Sequence, residues 1–124
     1  PFEIFVATGI RNFKPPLLAS YREYIKNDAK RETLHHILEA LKIKGYSIPD
    51  PQYKRYPLGL DKDDAYAYLY LYGSMYAYTK FPPNKTFHSE SIIDKNFKIY
   101  EDMLDLQQWI YELTCASQTD PKEF

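Results

Sequence analysis

YKRYPLGLDKDDAYAYLYLYGSMYAYTKFPP, residues 53–83, is the stretch whose reading decides the fold. A turn-and-acid segment, Leu58-Gly59-Leu60-Asp61-Lys62-Asp63-Asp64, opens it, a Tyr-loaded run follows from Ala65 to Phe81, and Pro82-Pro83 closes it. Tyr66, Tyr68, Tyr70, Tyr72, Tyr76 and Tyr78 all lie between the acids and the prolines. As a helix, the stretch has Asp61 as N-cap, with Asp63 and Asp64 in a first turn where the helix dipole favours negative charge. As a hairpin, the alternating tyrosines mark a strand and Gly73-Ser74 a two-residue turn into Met75–Phe81. Gly73 costs the helix about 1 kcal/mol relative to Ala. The acidic start and the alanines still favour the helix.

Upstream, residues 45–58 hold Pro49, Pro51 and Pro57, a density that forbids a regular helix and reads as an extended connector. Before it, Pro15-Pro16 are placed to start a helix, and Leu17, Leu18, Tyr21 and Ile25 follow at helical spacing. Asn27-Asp28 interrupts that pattern. A second run carries Leu34, Ile37, Leu38 and Leu41 on one face and ends at Gly45, a natural left-handed cap. These residues predict two helices, or one kinked helix, over 16–44. The apolar patch Phe2, Ile4, Phe5, Val6, Ala7 is read as one edge strand or an extended arm on a partner.

Downstream, residues 82–91 read as a polar loop, in which Asn84-Lys85-Thr86 matches a glycosylation sequon by chance. The clearest helix covers 92–114. Ile99, Met103, Leu106, Ile110 and Leu113 form a continuous apolar stripe, Tyr100, Leu104 and Tyr111 widen it, and Asp94 serves as N-cap. The expected fold is therefore all-α: a small non-bundle helical domain with an extended N-terminal arm. The alternative is α+β, with a Tyr-rich hairpin at 65–81. A single domain spans 1–124, divided into an arm and helices (1–52), a helical core (53–113) and a tail (114–124).

Composition narrows the function. Sixteen basic residues against 17 acidic give a net charge of −1, without the basic excess that phosphate neutralisation needs, so nucleic acid is not an expected partner. The single Cys115 permits no internal disulfide and suits a reducing compartment. No apolar run approaches the ~20 residues of a membrane-spanning helix, and PFEIFVATGI lacks the features of a secretory signal. His35 and His36 point about 100° apart on a helix and share no ligand spacing with His88 or Cys115, so no metal or cofactor is expected. Asp61, Asp63 and Asp64 lack the framework of a calcium loop. Nothing reads as an active site, and an enzyme built on Cys115 or His35 is the least favoured reading.

The tyrosines remain. A helix with Tyr, Leu and Ala around its whole circumference needs cover on nearly every side, more than two amphipathic helices provide. Part of the run is therefore expected to be an interface, with Tyr66, Tyr70, Tyr72 and Tyr76 in contact and Asp63 and Asp64 capping or pairing with a partner's basic residues.

Tyr53-Lys54-Arg55 followed by Leu58–Asp64 resembles the YKK-LGL-x-x-DD signature of the small matrix-side subunit of the mitochondrial cytochrome bc1 complex (complex III), the ubiquinol–cytochrome c reductase binding protein family. Lys80-Phe81-Pro82, Asp94–Ile99 and Met103-Leu104-Asp105-Leu106 are similar to later features of that family. Tyr56-Pro57 interrupts the signature, and Lys98, Tyr100 and Glu101 replace its arginines. The resemblance implies a non-catalytic accessory subunit that packs on cytochrome b and the core subunits and supports assembly and electron transport. It would be peripheral to the inner membrane on its matrix side, without cofactors. The alternative is a stand-alone, cytoplasmic, aromatic-rich domain that binds a protein or peptide.

Overall fold

In a computed structural model, which describes residues 4–61, 63–81 and 89–118, the chain is α+β. Its elements are β1 (Ile4–Ile10), α1 (Pro15–Tyr24), α2 (Asp28–Ile43), a 3-10 turn (Ala67–Leu71), β2 (Met75–Phe81) and α3 (Ser89–Gln118). The all-α expectation is thereby corrected. β1 and β2 pair antiparallel from Ile4 opposite Phe81 to Ile10 opposite Met75.

The Tyr-loaded stretch forms neither a helix nor a local hairpin. Its second half, MYAYTKF, has the period-two alternation of a strand, and its partner is the edge strand at the N-terminal end of the sequence. That partner is remote, so no local reading of 65–81 could include it. The first half tightens into the 3-10 turn, where the core supplies specific partners. The Tyr21 hydroxyl donates to the Leu69 carbonyl at 2.6 Å, and the Tyr70 hydroxyl to that of Ile25 at 3.3 Å. Asp61 caps no helix: its carboxylate accepts the Asp63 N–H at 2.9 Å, a local turn.

The N-terminal helices follow the sequence closely. Pro15 and Pro16 sit in the first turn of α1, and the Asn27 side chain accepts from Lys30 N–H to cap α2. Gly45 (φ 98°) ends α2 with a paired closure in which Gly45 N–H reaches the Lys42 carbonyl and Tyr46 N–H reaches that of Leu41. α3 starts earlier than expected, at Ser89, so Asp94 is inside the helix and caps nothing. The sequon Asn84-Lys85-Thr86 and His88 lie outside the described residues.

The stripe Ile99, Met103, Leu106, Ile110 and Leu113 is buried as expected, and α3 packs with it against α1, α2 and β1. Trp109 locks one flank: its indole N–H donates to the Lys30 carbonyl at 3.1 Å and its ring meets Tyr24 edge-on. Tyr46 fastens the same side, donating to Asp102 at 2.6 Å. The residues expected to widen the buried stripe do not. Tyr100 is 54% exposed, Leu104 41% and Tyr111 63%.

Candidate interaction surface

Strand alternation sorts the sheet into two faces. Ile4, Val6, Thr8 and Ile10 turn inward with Met75, Ala77 and Phe81, towards α3. Phe5, Ala7 and Gly9 turn outward with Tyr76, Tyr78 and Lys80. Gly9 (φ 130°) is required where it stands, because a Cβ there would collide with the Met75 carbonyl and with Tyr76. The close approach of the two backbones brings the outward rings together.

Those rings form one patch. Phe5, 43% exposed, lies 5.3 Å from Tyr78, and Tyr78 lies 6.0 Å from Tyr76. The Arg11 guanidinium sits over both Phe5 and Tyr76, at 5.7 and 5.6 Å from the ring centres. Lys80 approaches the Tyr78 ring at 5.9 Å. The patch offers flat apolar area edged by two cations, a combination suited to carboxylate-bearing and aromatic ligands.

The six residues assigned to partner contact fall in different places. Tyr76 belongs to the outer patch. Tyr70 and Tyr72 are turned into the core, 5% and 4% exposed. Burial and the nearby Asp50 hold the Tyr72 phenol above its ordinary pKa. Tyr66 stacks on His35 with ring centres 4.3 Å apart, and the His35 Nδ1 meets the Tyr68 hydroxyl at 2.8 Å. Burial, reinforced by Tyr72, pushes Tyr68 up to about 12. Asp63 is exposed, while Asp64 forms an ion pair with Arg31 at 2.7 Å.

Arg31 is the centre of the second polar feature. It also pairs with Asp28 at 2.8 Å and donates to the Ile25 carbonyl at 2.8 Å. Burial opposes its charge, but hydrogen bonding to Asp28 and the field of Asp64 outweigh it and raise its pKa. A hollow of about 360 Å³ beside it is lined by Asp28, Arg31, Leu60, Asp61, Asp64 and Tyr70. Arg31 pairs with two of the three carboxylates that line it, Asp28 and Asp64, and so ties Asp64 to α2. Among the described residues, no group of His, Cys, Asp and Glu is arranged to hold a metal ion, and no helix is long and apolar enough to cross a membrane.

A family model described as "conserved hypothetical protein (DUF2461)" matches residues 1–109. The chain belongs to that family. No curated protein and no solved structure matches it. The likeness to the complex III subunit is thereby corrected: nothing links this DUF2461 chain to that subunit, and Asp64 at the end of the likened signature pairs with Arg31 of the same chain. The matrix-side respiratory role rested on that likeness alone and loses its support. Sequence reasoning missed Phe5, Arg11 and Tyr78 as members of one surface. The alternation in IFVATGI and MYAYTKF held the signal, but only their pairing joins them.

Proposed function

We propose that this DUF2461 chain is a non-catalytic binding domain. The outer sheet face would take a polypeptide segment carrying aromatic and carboxylate side chains. The observation that carries the reading is the Arg11 guanidinium shared between Phe5 and Tyr76 on an aromatic face that includes an exposed Phe5 ring. An incoming aromatic side chain extends the ring cluster, and an incoming carboxylate meets Arg11 or Lys80. Rings with few rotatable bonds bind at low entropic cost.

The test is selection from a random peptide library on the wild-type chain, followed by affinity measurement on Tyr78→Ala and Arg11→Glu. Enrichment of Asp/Glu-plus-aromatic peptides, with binding weakened about tenfold or more by either substitution, supports the reading. Peptides that bind both variants as well as wild type would overturn it, as would preferential binding of an oligothymidylate.

A further inference from the structure

The three helices meet around a hollow of about 220 Å³, lined by Tyr24, Ala29, Lys30, Thr33, Trp109 and Glu112. Its walls are bonded to one another. The Trp109 indole N–H joins α3 to the Lys30 carbonyl of α2 at 3.1 Å, and the Trp109 ring meets Tyr24 of α1 edge-on at 5.3 Å. The Lys30 ammonium completes the ring of contacts. It donates to the Tyr24 hydroxyl at 3.0 Å and stands 4.5 Å from the centre of that aromatic ring. The sheet takes no part in it.

Two opposite charges line this hollow without meeting. Lys30 and Glu112 form no ion pair with each other or, among the described residues, with any other group. Each is held to its own wall: Lys30 by Tyr24, and Glu112 by the Gln108 side-chain amide, which donates to one carboxylate oxygen at 3.1 Å. Each also keeps bonding capacity. An ammonium has three N–H groups and Tyr24 takes one; a carboxylate has two oxygens and Gln108 takes one. Two cationic donors therefore remain on one wall and a free anionic oxygen on the other. Hydrogen bonding to Tyr24, opposed by burial, and the fields of Tyr24 and Glu112 raise the Lys30 pKa, so its ammonium stays charged at neutral pH. Ala29 belongs to the first turn of α2, where the helix dipole favours an anion, and Asp28, the acid of that turn, is bound to Arg31.

We propose that this hollow binds a free amino acid, its carboxylate on Lys30 and its ammonium on Glu112. One molecule that answers both charges must carry an anion and a cation a few bonds apart, which is the defining chemistry of an amino acid. Size agrees. At roughly 30 Å³ per water, the hollow has the bulk of about seven waters, which suits a ligand of under about ten non-hydrogen atoms. Drug-sized ligands occupy sites of about 300 Å³ and more. An aliphatic side chain of the ligand lies against Ala29 and the Tyr24 ring, so valine fits and tryptophan is too large. In the complex each charge gains a charge-assisted hydrogen bond inside a half-enclosed site. A ligand with only one of the two groups leaves the opposite charge unanswered.

Trp109 is the sole tryptophan, so its indole N–H is a single reporter in the wall of the hollow. The experiment is an NMR titration of that signal in the full chain with glycine, alanine, valine, leucine and tryptophan. Isovalerate and isobutylamine, which are valine without its ammonium or without its carboxylate, are titrated beside them. The expected result is a saturable shift at millimolar concentration with valine or another small aliphatic amino acid, and binding about tenfold weaker or worse for both analogues. Lys30→Met keeps the stem and the backbone carbonyl that Trp109 uses, and weakens binding about tenfold or more. Glu112→Gln does the same from the opposite wall. No saturable shift with any amino acid by about 10 mM overturns the proposal. So does an analogue that binds as well as valine, or binding that survives either substitution. This inference goes beyond the peptide-binding reading: Tyr78→Ala, which tests that reading, leaves amino-acid binding unchanged.

Discussion

The two strands of this small sheet are treated differently. β2 has its outer edge bonded to Ser47 at Tyr78, three of its four inward residues (Met75, Ala77 and Phe81) buried, and a clasp of Tyr46 on Asp102 beside it. β1 has, among the described residues, no backbone partner on its far edge, and its inward residues are half-buried, with exposed apolar residues of α3 alongside. The difference teaches that, among the described residues, the core seals most of the inward face of β2 and only half covers that of β1.

The severest way to break the comparison is to part the strands. Gly9→Ala adds a Cβ against the Met75 carbonyl at a positive φ, and is expected to cost about 4 kcal/mol in urea unfolding. A cost near zero would mean that β1 does not lie against β2 as described.

The second experiment weighs one strand against the other. Met75→Ala, in a fully buried site, is expected to cost about 3 kcal/mol, and Val6→Ala about 1 kcal/mol in dilute solution. Equal costs at low concentration would erase the asymmetry.

The smallest effect concerns pH, and it belongs to the β2 side. The Tyr46 hydroxyl, then Lys98 and Lys44, hold the Asp102 carboxyl below its ordinary pKa against the opposing effect of burial. Its contribution is therefore present above the unfolded carboxyl pKa of about 4 and is lost as pH falls through the lower folded value. Burial and Asp102 raise Tyr46, so its contribution is complete below about pH 10 and is lost as pH climbs through the folded value. Tyr46→Phe should flatten both limbs of a stability–pH profile and cost about 1 kcal/mol at neutral pH. An unchanged profile would show that the clasp contributes nothing.

What the sequence disclosed follows from what is local. Pro15-Pro16, the break at Asn27-Asp28 and the Gly45 cap are decided within a turn or two, and each stands where the residues place it. The buried stripe of α3 was legible because its spacing repeats over four turns. The strand at Met75–Phe81 was not, because its partner is remote and its alternation was attached to the tyrosines before Gly73. The exposure of Tyr100, Leu104 and Tyr111 was hidden for a related reason. Spacing tells which residues share a side of a helix, not how wide a layer the rest of the chain lays over it. Of the candidate surface, the sequence marks Tyr76 as a contact and Phe5 as part of an edge strand or an arm on a partner, whereas Arg11 and Tyr78 join them only when the strands meet.

The pairing of β1 with β2 also has a consequence in time. β2 is translated roughly 70 residues after β1. At 5–20 residues per second, an uncharged, proline-free strand leaves the ribosome several seconds before its ladder can form. During that interval it offers both edges to any extended chain nearby, including the nascent β1 of a neighbouring ribosome on the same message.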